Sequence, residues 1–208
     1  MNNIFPSNIT PDTISQLPRR QFEGEIVLAD TLSSMREVLK MMEGRKLLGF
    51  DTETKPAFKK GHSHKAALLQ LADDDTCFIF RLNKIGLPDE LISLLSNKSI
   101  LKVGLAVKDD YSALSKLKFL NPAGFIDLQK YVEDFGIVDK SLKKLAAIIL
   151  GIRISKSQQT SNWESQKLSE PQLIYASTDA WTCLKIYKRL KEMESNYGSI
   201  DKNRIKIR

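Results

Sequence analysis

The sequence predicts an α/β fold, a mixed five-stranded sheet with helices on both faces. Three observations lead there. Strand-like segments alternate with helical ones along most of the chain. Residues 66–72 and 76–82 are two apolar, strand-like runs separated only by Asp73-Asp74-Asp75, a hairpin spacing. Leu47-Leu48-Gly49-Phe50 is a short, unbroken apolar run of the kind that fills a strand buried on both faces. At 208 residues the chain is long enough for one domain with a sizeable core, and it shows no internal repeat or low-complexity stretch.

The elements follow in order. Residues 1–22 are polar and carry Pro6, Pro11 and Pro18, which reads as an extended or mobile arm ahead of a domain at 23–194. Residues 25–28 read as a strand and 33–42 as a helix, before the strand that ends at Asp51. The three acids of the hairpin turn fit local backbone hydrogen bonding better than a metal site. Pro88 opens a helix, residues 100–107 form a strand, a helix begins near Lys108, and 125–128 add a short strand. The remainder is helical. Ser169, Pro171 and Gln172 give the last helix an N-cap, a first-turn proline and a capping box. It runs to about Met193, with Ala176, Ala180, Leu184 and Tyr187 as an apolar stripe whose small residues let the helix approach a sheet closely. Residues 195–208 form a basic tail that is disordered or touches nucleic acid, and no second domain is expected after it.

Composition narrows the function classes. A net charge of +7 favours a polyanionic partner, although most of the lysines fit a solvated surface equally well. Cys77 and Cys183 sit in apolar contexts and read as reduced packing residues, which implies a cytoplasmic location. Residues 1–17 lack the basic start and apolar run of a signal peptide. The longest apolar run, 145–150, is far short of the roughly 20 residues that cross a bilayer, so no membrane partner is expected.

Acidic residues carry the chemistry. Asp51 and Glu53 are two apart on a strand and present their carboxylates to one side, with Thr52 facing away. Two such oxygens suit a hard cation, and a solvated strand exit explains the pair equally well. Tyr175 and Asp179 are one helical turn apart, and an acid beside Ala180 and Trp181 is costly unless its charge is compensated. A metal would do that.

Asp51-Thr52-Glu53-Thr54, then Asp110 after Lys102-Val103-Gly104-Leu105, then Tyr175-x-x-x-Asp179 resemble the three exonuclease motifs of the DEDD superfamily of 3'-5' exonucleases, the tyrosine marking the DEDDy branch. Residues 140–187, with Ser141-Leu142-Lys143-Lys144-Leu145-Ala146, Leu150-Gly151, Ser161-Asn162-Trp163 and Leu168-Ser169, are similar to the exonuclease domain of the Werner syndrome protein and, more distantly, to ribonuclease D. The resemblance covers roughly residues 25–192. The sister branch needs a histidine shortly before the last aspartate, and the only histidines here are His62 and His64, in a lysine-rich loop where they read as solvated residues or, less favourably, phosphate contacts.

The resemblance implies a ribonuclease H-like (DnaQ-like exonuclease) fold and hydrolysis of nucleic acid, DNA or RNA, from a free 3' end with release of nucleoside 5'-monophosphates. It implies two divalent cations, Mg²⁺ or Mn²⁺. Asp51 would bridge both, Glu53 and Asp179 would complete the site that holds the attacking water, and Asp110 would reach the second cation largely through waters. Tyr175 would orient the water. Thr52, Thr54, Lys55, Lys156 and Trp163 are candidate substrate contacts, although Trp163 is equally a loop anchor; Lys59 and Lys60 extend the basic set. The alternative is a catalytically inactive nucleic-acid-binding module of the same fold, with grip supplied by this domain or by a protein partner. Between adjacent acids, Asp110 shares a helix face with Leu114 and Leu117 and is assigned to the metal site. Asp109, facing Ser112, Ala113 and Lys116, is assigned to solvent or a capping role.

Overall fold

The structure, a computed structural model, describes residues 4–56 and 64–198. Its six strands are β1 (Glu25–Ala29), β2 (Leu47–Thr54), β3 (Ala66–Ala72), β4 (Thr76–Phe80), β5 (Leu101–Gly104) and β6 (Phe125–Asp127), in the order β1-β4-β3-β2-β5-β6. β3 is antiparallel to β2 and to β4, while β1 with β4, β2 with β5 and β5 with β6 are parallel. Among the described residues the sheet has six strands and not the expected five: all six segments read as strands join it, with both edge segments included, β1 on β4 and the three-residue β6 on β5. Such pairings are non-local, and a three-residue strand carries almost no periodicity of its own.

The helices are α1 (Pro11–Gln16), α2 (Leu32–Met41), α3 (Leu82–Ile85), α4 (Asp89–Leu95), α5 (Val107–Ser115), α6 (Leu128–Tyr131), α7 (Leu142–Leu145) and α8 (Glu170–Gly198). Side chains alternate along β2. Leu48 and Phe50 point into a core shared with Met35, Val38, Leu91 and Leu114 of α2, α4 and α5. Gly49 faces the other way and meets α8 so closely that a Cβ there would lie 1.9 Å from the Ala180 carbonyl oxygen. The stripe Ala176, Ala180, Leu184 and Tyr187 is buried along that contact. The capping box at its start is formed: Ser169 N–H donates to Gln172 Oε1 at 2.9 Å, and Gln172 N–H to Ser169 Oγ at 3.4 Å. Among the described residues no helix is long and apolar enough to cross a membrane.

Several expected boundaries shift. β2 continues past Asp51 to Thr54 and thereby carries both acids on regular strand. β4 stops at Phe80, and β5 stops at Gly104 because Ala106 adopts a left-handed conformation (φ 54°) from which α5 starts. The arm at 1–22 differs most. It forms α1, capped by Thr10, and buries Phe5, Ile14 and Phe22. Three widely spaced apolar anchors suffice to hold a segment whose average composition is that of a mobile one. α8 runs to Gly198, into the expected basic tail; residues 199–208 of that tail, residues 1–3, and Lys59, Lys60 and His62 lie outside the described residues. His64 is half-buried.

Candidate active site

Two parallel strands end side by side at the site. β2 delivers Asp51 and Glu53 at its C-terminal end, and β5, paired to it in parallel, turns through Leu105 and Ala106 into α5, whose first turn carries Asp110. α8 lies across β2 at Gly49 and brings Asp179 and Tyr175 over the same end. Carboxylate oxygens of Asp51, Glu53 and Asp179 all fall within 4.8 Å of one another. Asp110 is not in that triad, and the strand alternation explains why. Thr52 points to the opposite face from Asp51 and Glu53, as expected from strand geometry, and its hydroxyl donates to Asp110 Oδ1 at 2.5 Å. The four acids therefore straddle the end of β2, three on the α8 side and one on the α5 side.

Crowding of this kind is held against strong repulsion. Burial pushes the Asp51 carboxyl well above the usual range, and the charges of Asp110, Glu53 and Asp179 push it further. Glu53 is raised by burial and by Asp179 and Asp110. Burial lifts Asp179 to about 7 against the opposing hydrogen bond from Tyr175 and the nearby charge of Lys156, and lifts Asp110 to about 7 despite the bond from Thr52. Among the described residues, Lys156 is the basic group whose charge acts on Asp179. Three converging hard oxygen donors with almost no basic counter-charge fit a divalent cation, which would restore the ionised forms of all of them. Tyr175 donates its hydroxyl to Asp179, and burial, followed by the charges of Asp179 and Glu53, raises its pKa far above that of a free phenol. It stays protonated at neutral pH and acts as a donor, never as a base.

This arrangement matches a known family along most of its length. The 3'-5' exonuclease family model matches residues 26–194. The chain belongs to the 3'-5' exonuclease family. It is 32% identical over 190 residues to the bifunctional 3'-5' exonuclease/ATP-dependent helicase WRN of Mus musculus, a match covering 84% of this chain and 13% of that protein. It thus spans a small part of the relative's length. Among solved structures it is similar to the Nibbler EXO domain of Aedes aegypti, with a TM-score of 0.73 and 25% identity over 88% of this chain and 94% of that one. Escherichia coli RNase D shares the fold, with a TM-score of 0.70 and 21% identity over 82% of this chain and 45% of its own. The fold is therefore the ribonuclease H-like one.

The remaining candidates of the exonuclease site are placed unevenly. Lys156 lines a cleft of about 400 Å³ with Leu105, Lys140, Lys143, Tyr175 and Asp179. Lys55 is exposed but ion-paired to Glu164 at 3.5 Å, which ties the end of β2 to the loop before α8. Thr54 is half-buried at a bulge in the β2–β3 ladder. Trp163 does not present a stacking face: it is completely buried, its ring 5.9 Å from that of Tyr175, and it anchors the loop. The same loop is held by Arg81, 1% exposed, which donates to the carbonyls of Ser165 and Gln166. Ala113, expected on the outward face of α5, is buried, whereas Asp109 is exposed as expected.

One residue of this site went unnoticed in the sequence. Asp127, at the end of β6, accepts from Ala106 N–H at 3.1 Å and Gln129 N–H at 2.9 Å, holding the left-handed turn from which Asp110 projects. Its only linear signal is an acid closing a short apolar triplet before a helix, the same signal that Asp51 gives.

Proposed function

We propose that this chain is a metal-dependent nuclease that removes nucleotides from the 3' end of a nucleic acid, DNA or RNA, and releases nucleoside 5'-monophosphates. The observation that carries the reading is the converging triad Asp51, Glu53 and Asp179, all raised by burial, with the charge of Asp179 raising Asp51 and Glu53 further. Asp51 and Glu53 on β2 and Asp179 on α8 would hold one divalent cation; Asp51 with Asp110 from the α5 side would hold a second. Mg²⁺ or Mn²⁺, when bound, supplies an acidified water and neutralises charge developing on the phosphate. The side chains do the rest. Tyr175, a permanent donor next to Asp179, orients the attacking water as in the DEDDy branch, and Thr52 fixes the Asp110 carboxylate. Lys156 meets the strand in the cleft. We place the protein in the cytoplasm on the reading of Cys77 and Cys183 as reduced packing residues, which their burial in separate apolar clusters supports.

Incubation of a labelled oligonucleotide with the protein in Mg²⁺, in Mn²⁺ and in chelator tests the reading. Shortening from the 3' end in either metal, its loss in chelator and its near-complete loss in Asp51→Ala are expected. Full activity in chelator, or in Asp51→Ala with Mg²⁺, would overturn it.

A further inference from the structure

Residues 17–22 precede the segment matched by the exonuclease family, yet they are stitched to the active-site loop and to α8. Arg153 N–H donates to the Pro18 carbonyl at 3.0 Å, Arg20 N–H to the Arg153 carbonyl at 3.1 Å, and Arg153 Nε to the Leu17 carbonyl at 2.9 Å. Phe22 N–H donates to Thr178 Oγ1 on α8 at 3.0 Å. The segment thereby walls a second cavity, about 200 Å³, lined by Arg19, Ser155, Ser157, Pro171, Ile174 and the ring of Tyr175. Tyr175 also lines the catalytic cleft, so the two spaces are neighbours across one ring.

The lining selects an anion. No carboxylate contributes to it, in contrast to the cavity on the other side of the segment, where Arg20 sits with Glu23, Asp74 and Asp75. Arg19 has no ion pair and no side-chain hydrogen bond among the described residues, whereas Lys140 and Lys144 are paired to Glu133 and Asp139. Ser155 Oγ donates to Ser157 Oγ at 3.0 Å and accepts from Ser157 N–H at 3.2 Å, which leaves the Ser157 hydroxyl proton for an outside acceptor. A planar guanidinium with an adjacent hydroxyl donor suits phosphate, and the volume suits a phosphate and its waters rather than a whole nucleotide.

We propose that this cavity binds a backbone phosphate of the nucleic-acid strand other than the one cleaved, with Arg19 as its principal ligand and Ser157 as a hydroxyl donor. The assignment rests on the exonuclease reading for its ligand. It makes the N-terminal segment part of the substrate track, across the ring of Tyr175 from the catalytic cleft.

The test measures binding of a labelled single-stranded oligonucleotide in chelator, where nothing is cut, over a range of salt. Each phosphate contact on a single strand contributes a slope of about 0.7 in log affinity against log salt. Arg19→Ala should weaken binding and flatten the slope by about that amount, Arg19→Lys should keep the slope while binding less tightly, and Arg20→Ala should leave both unchanged. Melting temperatures verify folding; should Arg19→Ala melt early, Arg19→Gln, which keeps the stem and loses the charge, takes its place. Inhibition by a nucleoside 5'-monophosphate in Mg²⁺ separates a strand phosphate from a released product: it should not respond to Arg19. An unchanged slope in Arg19→Ala, an equal loss in Arg20→Ala, or an effect confined to the monophosphate would overturn the assignment. Hydrolysis by the wild type, recorded alongside, fails only if the exonuclease reading itself is wrong.

Discussion

Asp109 and Asp110 are neighbours in one helical turn, and their surroundings could hardly differ more. Asp109 is exposed; Asp110 is half-buried, accepts from Thr52, and is lifted to about 7 by burial, with Asp109 and Asp127 adding repulsion. Asp110→Asn should lower turnover by more than about a hundredfold, since loss of groups that merely support a metal ligand already costs up to that much. Asp109→Asn should have a mild effect, with equal melting temperatures in both; the opposite order of rates would move the assignment by one residue. Tyr175 divides from Asp179 in the same way. Tyr175→Phe removes one hydrogen bond to a charged partner and should slow hydrolysis roughly ten- to a hundredfold, leaving calorimetric Mg²⁺ affinity unchanged, while Asp179→Ala should cost both. Loss of metal binding in Tyr175→Phe would contradict that division. The residue types and their helical or strand spacing were readable from the chain, because both periodicities are local. The fate of Trp163 was not: a tryptophan in a loop reads the same whether it stacks on a base or, as here, is buried against Tyr175.

At the scale of elements, the site depends on how closely α8 can lie on β2. Gly49 allows that approach, since any Cβ would collide with the Ala180 carbonyl. Gly49→Ala should destabilise the fold by about 1–3 kcal/mol through overpacking, and it should also lower Mg²⁺ affinity, because a helix lifted from the strand carries Asp179 away from Asp51 and Glu53. Urea denaturation and metal titration on the same variant check both; wild-type stability with wild-type metal affinity would show that the contact can relax. The small residues Ala176 and Ala180 signalled this close packing in advance, and the capping box fixed where the helix starts. Helix and strand interiors were predictable for that reason, while ends such as Gly104 were not. Ala106 takes its left-handed conformation from a hydrogen bond to Asp127, on another strand.

For the whole molecule, the acids make stability and metal binding respond oppositely to pH. Asp110 and Asp179 ordinarily lose their protons near 3.8, but in the folded, metal-free protein they keep them to about 7. Between those values the folded state binds more protons than the unfolded one, so raising the pH through this window should destabilise the metal-free protein, by roughly a few kcal/mol when complete. Cations require the ionised acids and should restore stability most at the alkaline end. Calorimetric melting at about pH 5.5 and about pH 8, with and without Mg²⁺, reads both effects; a metal-free melting temperature that rises across the window would refute the crowding of acids on which the site rests. The sequence was sufficient to specify the α/β class from local periodicity, and the spacing of its acids together with the resemblance to the DEDD motifs nominated Asp51, Glu53, Asp110, Tyr175 and Asp179 and preferred Asp110 over Asp109. Only the tertiary structure decided the order in which the six strands pair, the division of the acids across the two faces of β2, the burial of Trp163 and the packing of the N-terminal segment beside Tyr175. Those depend on which distant segments meet, and the free energy of such meetings is shared among many weak contacts that no single stretch of chain contains.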